Sequence, residues 1–422
     1  MFSIVATETS VLTFISIPGI AYRGDWTFLQ LAFGYIFGRI LVSFLLIPLF
    51  FKHGVTSIYE LLEKKFNVVI QRVASLTFLC TRIFADAVRF AAIAIIVQSI
   101  TNLPITFSII IVALVTFIYT VLGGLKTIIN IDAFQFFIYI ISALICIVSL
   151  FIYIDLPIKN VMSELNSLNK FKLLDFSGDF LKNPFTFFSA FLGGTMLSFA
   201  SHGADYMMVQ RVLATKNIKS AKKAMIGSGI FVFFQFTLFL FIGSLIYIAS
   251  SGLMIKKDQE MSYVILNILP IGFKGIVLAG VLSAAMSTLS SSINSLSSSL
   301  IKDWLPNLNS VKSSRLVSFF WTIVLVFTAL IFQNSNDAFV IVGLKIASFT
   351  YGSLLSFFIL TKLKYKFNTV VILTGYLSGI LTVFYFVKHN ISWTFYIFGS
   401  VSINIIIVLF LQTIKETLLK EP

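Results

Sequence analysis

Long apolar runs alternate with short polar loops along nearly the whole chain. One helical crossing of a bilayer needs about 20 apolar residues, and windows of that length place twelve crossings in the sequence. The predicted crossings are 2–20, 27–51, 70–100, 104–122, 127–154, 185–210, 222–250, 271–301, 314–333, 337–361, 369–387 and 392–414. The pattern therefore predicts an all-α integral membrane protein with both termini on the same side.

Two of the predicted crossings carry polar and helix-breaking residues at their centres. The first reads ATETSVLT from Ala6 and then reaches Pro18, and the sixth holds Gly193, His202 and Asp205. Interrupted helices in positions one and six of two five-helix halves are typical of secondary transporters built from inverted repeats. We expect one half at 1–155, a loop at 156–184, the other half at 185–362, and two additional helices with a tail at 363–422.

The predicted eighth crossing is unusually rich in hydroxyl groups. It reads LSAAMSTLSSSINSLSSS, and an unpaired hydroxyl in hydrocarbon costs several kcal/mol. Steps of three and four residues place Ala284, Ser287, Thr288 and Ser291 on one helix face. Such oxygen donors suit an alkali ion. The alternative is a closely packed interface between helices, which small residues favour in membranes.

We single out eight ionisable residues inside the predicted crossings, and each is a functional candidate by default. They are Glu8, Arg39, Arg82, Asp86, Arg89, Asp132, Asp205 and Lys345. Asp86 is four residues after Arg82 and three before Arg89, so the three side chains can share one helix face. The surplus cation could pair with Glu8 or with a substrate carboxylate. The alternative is an internal ion-pair cluster that fixes helix packing. Arg39 is left without an assigned role.

Composition and charge agree with a membrane protein. Of 422 residues, 58% are hydrophobic and only 11% are charged, with a mean hydropathy of +0.98. If the N-terminus is cytoplasmic, inner loops and helix ends hold eighteen Lys and Arg residues and the outer ones hold eight. This positive-inside bias explains the net charge of +14, so a nucleic-acid partner is not needed. No catalytic, nucleotide-binding or metal-binding motif argues for an enzyme.

Four motifs in order resemble the sodium/solute symporter family of sodium-coupled carriers. They are TETSVLTFISIPGIAY (7–22), YTVLGGLKTIINIDAFQ (119–135), GADYMMVQRVLATK (203–216) and GFKGIVLAGVLSAAMSTLSSSINSLSSSLIKDW (272–304). The resemblance covers nearly the whole chain. It implies the leucine-transporter type of fold, with two inverted five-helix repeats, discontinuous first and sixth helices and two C-terminal helices.

The resemblance also implies sites for sodium and for solute. The family's common sodium site would use carbonyl groups of Ala6, Thr9 and Ala284 and hydroxyl groups of Ser287 and Thr288. A second sodium, which some members bind, would use Asp132, Ser290 and Ser291. By the same analogy, the candidate solute contacts are Glu8, Ser10, Thr13, Phe33, Arg89 and Ser201.

The function implied is sodium-coupled import of a small organic solute by alternating access at the plasma membrane. We expect a carboxylate or zwitterion as solute, Na+ and the lipid bilayer as the other partners, and a monomer with cytoplasmic termini. A transport-deficient solute sensor and a passive channel are the alternatives. Family members usually have an additional helix before the broken one. We therefore expect either a start upstream of Met1, or a fragment or degenerate copy.

Overall fold

The computed structural model describes residues 2–8, 10–54, 57–122, 125–308, 310–332, 337–363 and 365–418. All regular structure among these residues is helical. The first helices are α1 Phe2–Glu8, α2 Val11–Arg23, α3 Leu29–Leu41, α4 Ile47–His53, α5 Ile58–Lys65, α6 Val68–Thr101, α7 Ile105–Leu122, α8 Leu125–Ile154 and α9 Ile158–Ser167. The others are α10 Phe187–Gly203, α11 Tyr206–Leu213, α12 Ile218–Ala249, α13 Glu260–Tyr263, α14 Ile271–Trp304, α15 Val311–Ala329, α16 Phe339–Leu360, α17 Thr369–Lys388 and α18 Tyr396–Leu418.

Every predicted crossing corresponds to helical structure. Within the described part of the chain, nine helical stretches are long and apolar enough to cross a membrane. One of them joins α3 to α4 through a π-helical turn at Val42–Leu46. The three other predicted crossings are the shorter apolar helix α7 and the two broken helices. The division of the chain into two halves at 1–155 and 185–362 stays a prediction.

Both predicted helix breaks are present. The first lies between Glu8, the last residue of α1, and Ser10, whose extended backbone and side chain cap α2 by accepting from the Leu12 N–H at 3.2 Å. The second lies at Ala204 and Asp205, between α10 and α11. These breaks free backbone groups in the middle of the bundle, where they can serve a ligand.

Helices α3 and α10 meet backbone to backbone along a line of glycines. A Cβ atom added at Gly34, Gly38 or Gly194 would overlap a backbone carbonyl oxygen of the other helix. Glycine is required here because no larger residue leaves room for this approach. We call this contact the glycine seam. It holds α3 firmly against the broken helix α10.

The serines of α14 divide between two roles. Toward the C-terminal end they bond to neighbouring helices: Ser292 donates to Asp86, Ser297 pairs with Ser318 at 3.0 Å, and Ser299 pairs with Ser75 at 2.9 Å. These contacts correspond to the packing alternative. Nearer the middle of the bundle, residues 284–288 face the end of α1, as described below. One serine-rich helix therefore serves both packing and a candidate site.

At the end of the bundle where α2 stops, a lysine from the 156–184 loop caps the helix. Lys170 Nζ donates to the carbonyl groups of Ala21, Tyr22 and Gly24 at 3.1, 2.8 and 3.0 Å. It also lies 4.0 Å from the centroid of the Tyr247 ring, a cation–π geometry. A cation is favourable at this position because the carbonyl end of a helix carries partial negative charge. The loop is thereby fastened to α2.

The segment between α12 and α14 is fastened at the same end through two buried carboxylates. Glu260 pairs with Arg23 at the end of α2, and Asp258 accepts from the Phe339 N–H at the start of α16 at 3.0 Å. Burial raises the pKa of Glu260 to about 7, although Arg23 opposes the shift. Burial also raises the pKa of Asp258. This segment therefore ties α2 to α16 through contacts that depend on protonation.

Candidate solute and cation site

A cavity of about 110 Å³ lies where the two helix breaks meet. Its walls come from α1, α2, α3, α6, α10, α11, α12 and α16. Five of the six solute contacts suggested by the family resemblance line it, namely Glu8, Ser10, Thr13, Arg89 and Ser201. Residues from eight helices thus converge on one space at the centre of the bundle.

Phe33, the sixth suggested contact, lies elsewhere. Its side chain is 42% exposed on the outer face of α3. The ring packs against Phe37 and Phe191, with centroids 5.5 and 5.8 Å away. The structure therefore does not bring Phe33 together with the other five residues.

Glu8 forms a buried ion pair with Arg39. Its carboxylate accepts from the Arg39 guanidinium of α3, and His202 Nε2 lies 3.5 Å from the same carboxylate oxygen. Arg39 is fully buried and also donates to the Ser228 hydroxyl at 2.6 Å. The sequence left Arg39 without a role, but it is the counter-ion of Glu8. The suggestion that Glu8 neutralises the surplus cation of α6 is therefore wrong.

The surplus cation of α6 is neutralised instead by Asp205, from the second helix break. The predicted shared face is present, since Asp86 accepts from Arg89 at 2.7 Å and lies 3.4 Å from Arg82. Arg82 also lies 3.3 Å from Asp205, which accepts a hydrogen bond from the Tyr351 hydroxyl. Two guanidinium groups are matched by two carboxylates, so this cluster has no net charge.

Neutral polar groups complete the cavity wall. Ser10 and Thr13 lie on consecutive turns at the start of α2, and both are buried. Ser201 Oγ lies 2.9 Å from His202 Nδ1, so its hydroxyl is anchored beside the Glu8 pair. The lining therefore includes three hydroxyl groups and the Arg89 side chain. This combination suits a small solute that carries a carboxylate.

The suggested sodium ligands meet below the first helix break. Ser287 Oγ of α14 lies 3.4 Å from the Ala6 carbonyl oxygen of α1, and Thr288 Oγ1 lies 3.2 Å from the Ala284 carbonyl oxygen. All four residues are buried. Thr9 lies outside the described residues. Four of the five suggested ligands thus come together at the contact between a broken helix and the serine-rich helix.

The residues suggested for a second sodium lie one turn further along α14. Ser290 and Ser291 donate to the Ser287 carbonyl oxygen at 3.3 and 2.6 Å. Ser291 also accepts a hydrogen bond from the Arg211 guanidinium of α11. Asp132 belongs to α8, and its side chain lies outside the described part of the chain.

Sequence reasoning missed three groups at this site. Arg39 and Tyr351 became recognisable only through their partners Glu8 and Asp205. Gln135 contributes a buried side-chain oxygen near the suggested sodium ligands. The available signal for Arg39 was a lone charge in an apolar helix, which marks a residue that must have a partner.

Two broken helices around a central cavity define the leucine-transporter type of fold, and comparison with solved structures agrees. The chain matches a Na+-coupled sialic acid symporter with a TM-score of 0.88 and 24% identity, covering 98% of this chain and 89% of that one. It also matches Mhp1, a nucleobase-cation-symport-1 family transporter, with a TM-score of 0.59 and 13% identity, covering 99% and 92%. The expected fold class is confirmed.

Residues 1–379 match the model of the sodium:solute symporter family, and the chain belongs to this family. It is 26% identical to the human sodium/iodide cotransporter, over 75% of this chain and 50% of the relative. It is 28% identical to the sodium/sialic acid symporter NanT of Aliivibrio fischeri, over 72% of this chain and 61% of that relative. It is 27% identical to the human sodium-coupled monocarboxylate transporter 2, over 72% of this chain and 50% of that relative. The chain thus spans about half to three-fifths of the length of these relatives.

Proposed function

We propose that this protein is a sodium-coupled symporter that imports a small organic solute by alternating access. The observation that carries the proposal is the 3.4 Å approach of Ser287 Oγ to the Ala6 carbonyl oxygen. This contact sets a hydroxyl of an intact helix against the carbonyl end of a broken one, which is how transporters of this fold coordinate sodium. Membership of the family supports the same conclusion.

Sodium would bind to carbonyl oxygens of Ala6, Thr9 and Ala284 and to hydroxyl oxygens of Ser287 and Thr288. All five are neutral oxygen donors, which suit a hard monovalent cation. Because the ligands come from two separate helices, binding would favour the conformation in which α1 and α14 touch. If the solute also binds this conformation best, bound sodium raises the overall affinity for the solute. Bound solute then raises the affinity for sodium by the same coupling free energy.

The membrane potential supplies part of the driving force. One sodium ion moving inward through 100 mV contributes about 2.3 kcal/mol. A second sodium bound to Asp132, Ser290 and Ser291 would double this contribution. Because Ser291 already accepts from Arg211, an ion at this place would have to share that oxygen with a guanidinium.

For the solute we propose a small carboxylate or zwitterion. The cavity's described ion pairs balance, with Glu8 against Arg39 and two carboxylates against Arg82 and Arg89. A bound sodium ion adds one positive charge that an anionic group of the solute would neutralise. The proposed contacts are Glu8, Ser10, Thr13, Arg89 and Ser201; Phe33 is omitted because it faces away from the cavity.

We further propose that the protein acts as a monomer in the plasma membrane with both termini cytoplasmic. The excess of Lys and Arg in the loops assigned to the inner side supports this orientation. Large apolar side chains exposed on the outside of the bundle, such as Phe44, Phe134 and Phe234, are suited to lipid contact. Cysteine labelling of the two ends of the chain in intact cells would test the orientation.

Sodium binding can be tested before the solute is known. The purified chain would be heated in sodium chloride and in choline chloride at equal ionic strength. A ligand at 100 times its dissociation constant stabilises the folded state by about 2.7 kcal/mol. We expect a saturable rise in melting temperature with sodium, and a higher half-saturating concentration in Ser287→Ala and Thr288→Ala. Equal melting temperatures in both salts would contradict sodium binding.

Transport itself needs a solute, which a thermal-shift screen of organic acids, amino acids and sugars in sodium buffer would identify. Uptake of the best stabiliser into proteoliposomes would then be measured with an inward sodium gradient and with choline. Sodium-dependent accumulation above the external concentration supports symport. Binding without uptake would favour a sensor, and single-channel currents would favour a channel.

A further inference from the structure

His202 lies between two polar groups of the central cavity. It belongs to the last turn of α10, is 2% exposed, and lines the cavity together with Ser201 and Glu8. Its Nδ1 atom lies 2.9 Å from Ser201 Oγ, and its Nε2 atom lies 3.5 Å from a carboxylate oxygen of Glu8. Each ring nitrogen therefore faces a different group, and the proposed solute contacts do not include this histidine.

These two neighbours determine where the imidazole carries its proton. A lone pair on Nε2 would face the negative charge of Glu8, so the proton belongs on Nε2. A second proton on the ring would place an extra positive charge beside Arg39, whose charge Glu8 already balances. The ring is therefore neutral, and its Nδ1 atom accepts the hydrogen of the Ser201 hydroxyl.

The Ser201 oxygen can then only accept a hydrogen bond from a solute. Its own hydrogen is directed to His202 Nδ1, and the alternative acceptor, the Ser198 carbonyl oxygen at 3.5 Å, would bind the same hydrogen. A hydroxyl that is free to rotate can donate or accept, so it does not discriminate between solutes. A solute group placed against Ser201 must instead carry an O–H or an N–H.

A carboxylate on the same solute has a partner in this cavity. Arg89 lines the cavity, and its described hydrogen bonds, to Asp86 and to the Ala85 carbonyl oxygen, both start at Nη1. Its Nε atom is buried without a partner among the described residues. A guanidinium binds a carboxylate through two parallel hydrogen bonds, and the edge formed by Nε and Nη2 can make them.

The volume of the cavity limits the solute to a short molecule. It is about 110 Å³, which is less than the ~150 Å³ of an apolar cavity that holds one benzene molecule. A solute of this size has room for its carboxylate, one group that donates to Ser201, and few other atoms. Hydroxy acids and amino acids with short side chains meet these conditions.

We infer that His202 is a positioning residue that fixes the Ser201 hydroxyl, so that the cavity selects short carboxylates bearing a hydroxyl or an ammonium group. The inference rests on the proposed sodium-coupled uptake of a carboxylate or zwitterion and narrows the class of solute. His202 acts through Ser201, and Arg89 binds the carboxylate of the solute. A carboxylate without a donor group would leave the Ser201 oxygen unpaired and bind more weakly.

Three probes of nearly equal size test this selection, namely L-lactate, L-alanine and isobutyrate. Each carries a carboxylate, and they differ in bearing a hydroxyl, an ammonium or a methyl group beside it. The melting temperature of the purified full-length chain would be titrated with each probe in sodium chloride and in choline chloride. In sodium we expect the half-saturating concentration of isobutyrate to be about tenfold higher than that of the better of the other two probes.

Variants test whether His202 produces this preference. Ser201→Ala removes the acceptor and His202→Leu frees the hydroxyl to rotate, so in both the ratio of half-saturating concentrations should fall toward one. His202→Asn places an amide oxygen near the position of Nδ1 and should retain the preference. Ser189→Ala is the matched control, because Ser189 is buried on the same helix but pairs with Thr394 at 2.6 Å, away from the cavity. A purely structural loss weakens all three probes equally and leaves the ratio unchanged.

Each result decides a separate point. A preference for L-lactate or L-alanine that disappears in Ser201→Ala and in His202→Leu supports the inference and identifies the donor as a hydroxyl or an ammonium group. Equal half-saturating concentrations for the three probes, or a preference that Ser201→Ala leaves unchanged, overturns it, while sodium-dependent binding of the probes leaves the proposed function standing. If no probe binds in sodium, the proposed carboxylate solute fails and this inference fails with it. The unaltered chain and Ser201→Ala are sufficient for a refutation if His202→Leu does not fold.

Discussion

Removing the charge of Glu8 should leave Arg39 buried without a counter-ion. In the folded protein Arg39 has no exposed side-chain surface, and the Ser228 hydroxyl is its other described partner. Loss of one member of a buried ion pair costs about 3–5 kcal/mol. The Glu8 side chain is 14% exposed, so water can partly solvate the site, and we expect about 3 kcal/mol for Glu8→Gln.

This energy converts to a measurable change in melting temperature. Unfolding entropy is about 2 cal/mol/K per residue, or roughly 0.9 kcal/mol/K for a chain of this length. Glu8→Gln should therefore lower the melting temperature by about 3 °C. Thermal unfolding of purified protein would be followed for Glu8→Gln, Arg39→Gln and the double variant. Because the double variant leaves no unpaired charge, its loss should be clearly smaller than the sum of the two single losses.

Additive losses in this cycle would refute the reasoning, because they would mean that Glu8 and Arg39 do not interact. A separate measurement distinguishes a structural from a solute-binding role for Glu8. If Glu8 contacts the solute, the double variant regains stability but not solute binding. If Glu8 only neutralises Arg39, the double variant regains both the stability and the solute binding that Glu8→Gln loses.

Three further predictions concern contacts away from the cavity. Burial raises the pKa of Glu260 from its usual 4.5 to about 7, so the folded state binds this proton more tightly than the unfolded state does. The stability that this group contributes should be complete below about pH 4.5 and be lost as the pH rises through 7, so the difference in melting temperature between the unaltered chain and Glu260→Gln should change over that range. Lys170→Met removes three hydrogen bonds to the end of α2, each worth about 1 kcal/mol, so it should lower the melting temperature and speed proteolysis of the 156–184 loop. Gly243→Ala places a methyl group against the Pro18 carbonyl oxygen and should lower the melting temperature sharply, whereas its control Gly272→Ala meets no atom within 4 Å and should melt as the unaltered chain does.

The helices and their breaks could be predicted from sequence because both leave local signals. Apolar length marks each crossing, and the polar residues around Glu8 and Asp205 mark the two interruptions. The oxygen donors of α14 were likewise visible, since helical periodicity alone places Ser287 and Thr288 on one face. Local pattern was therefore enough to predict the helices, their two breaks and one side of the proposed cation site.

Partners across helices could not be predicted in the same way. Periodicity identifies the face on which a residue lies, but not the helix that packs against that face. Asp205 rather than Glu8 therefore balances Arg82, and Arg39 became explicable only once α3 was seen beside the end of α1. Phe33 was suggested by family analogy, yet it lies on the outer face of α3, among other phenylalanines.

The glycine seam determines which parts of the protein can move independently. Because the backbones of α3 and α10 touch along it, neither helix can tilt or slide without carrying the other. Arg39 lies on α3 and His202 lies on α10. Both side chains contact the Glu8 carboxylate, so we expect these two contacts to move together as one rigid unit. We therefore expect the central space to open at its other walls, which would move relative to the unit formed by α3 and α10.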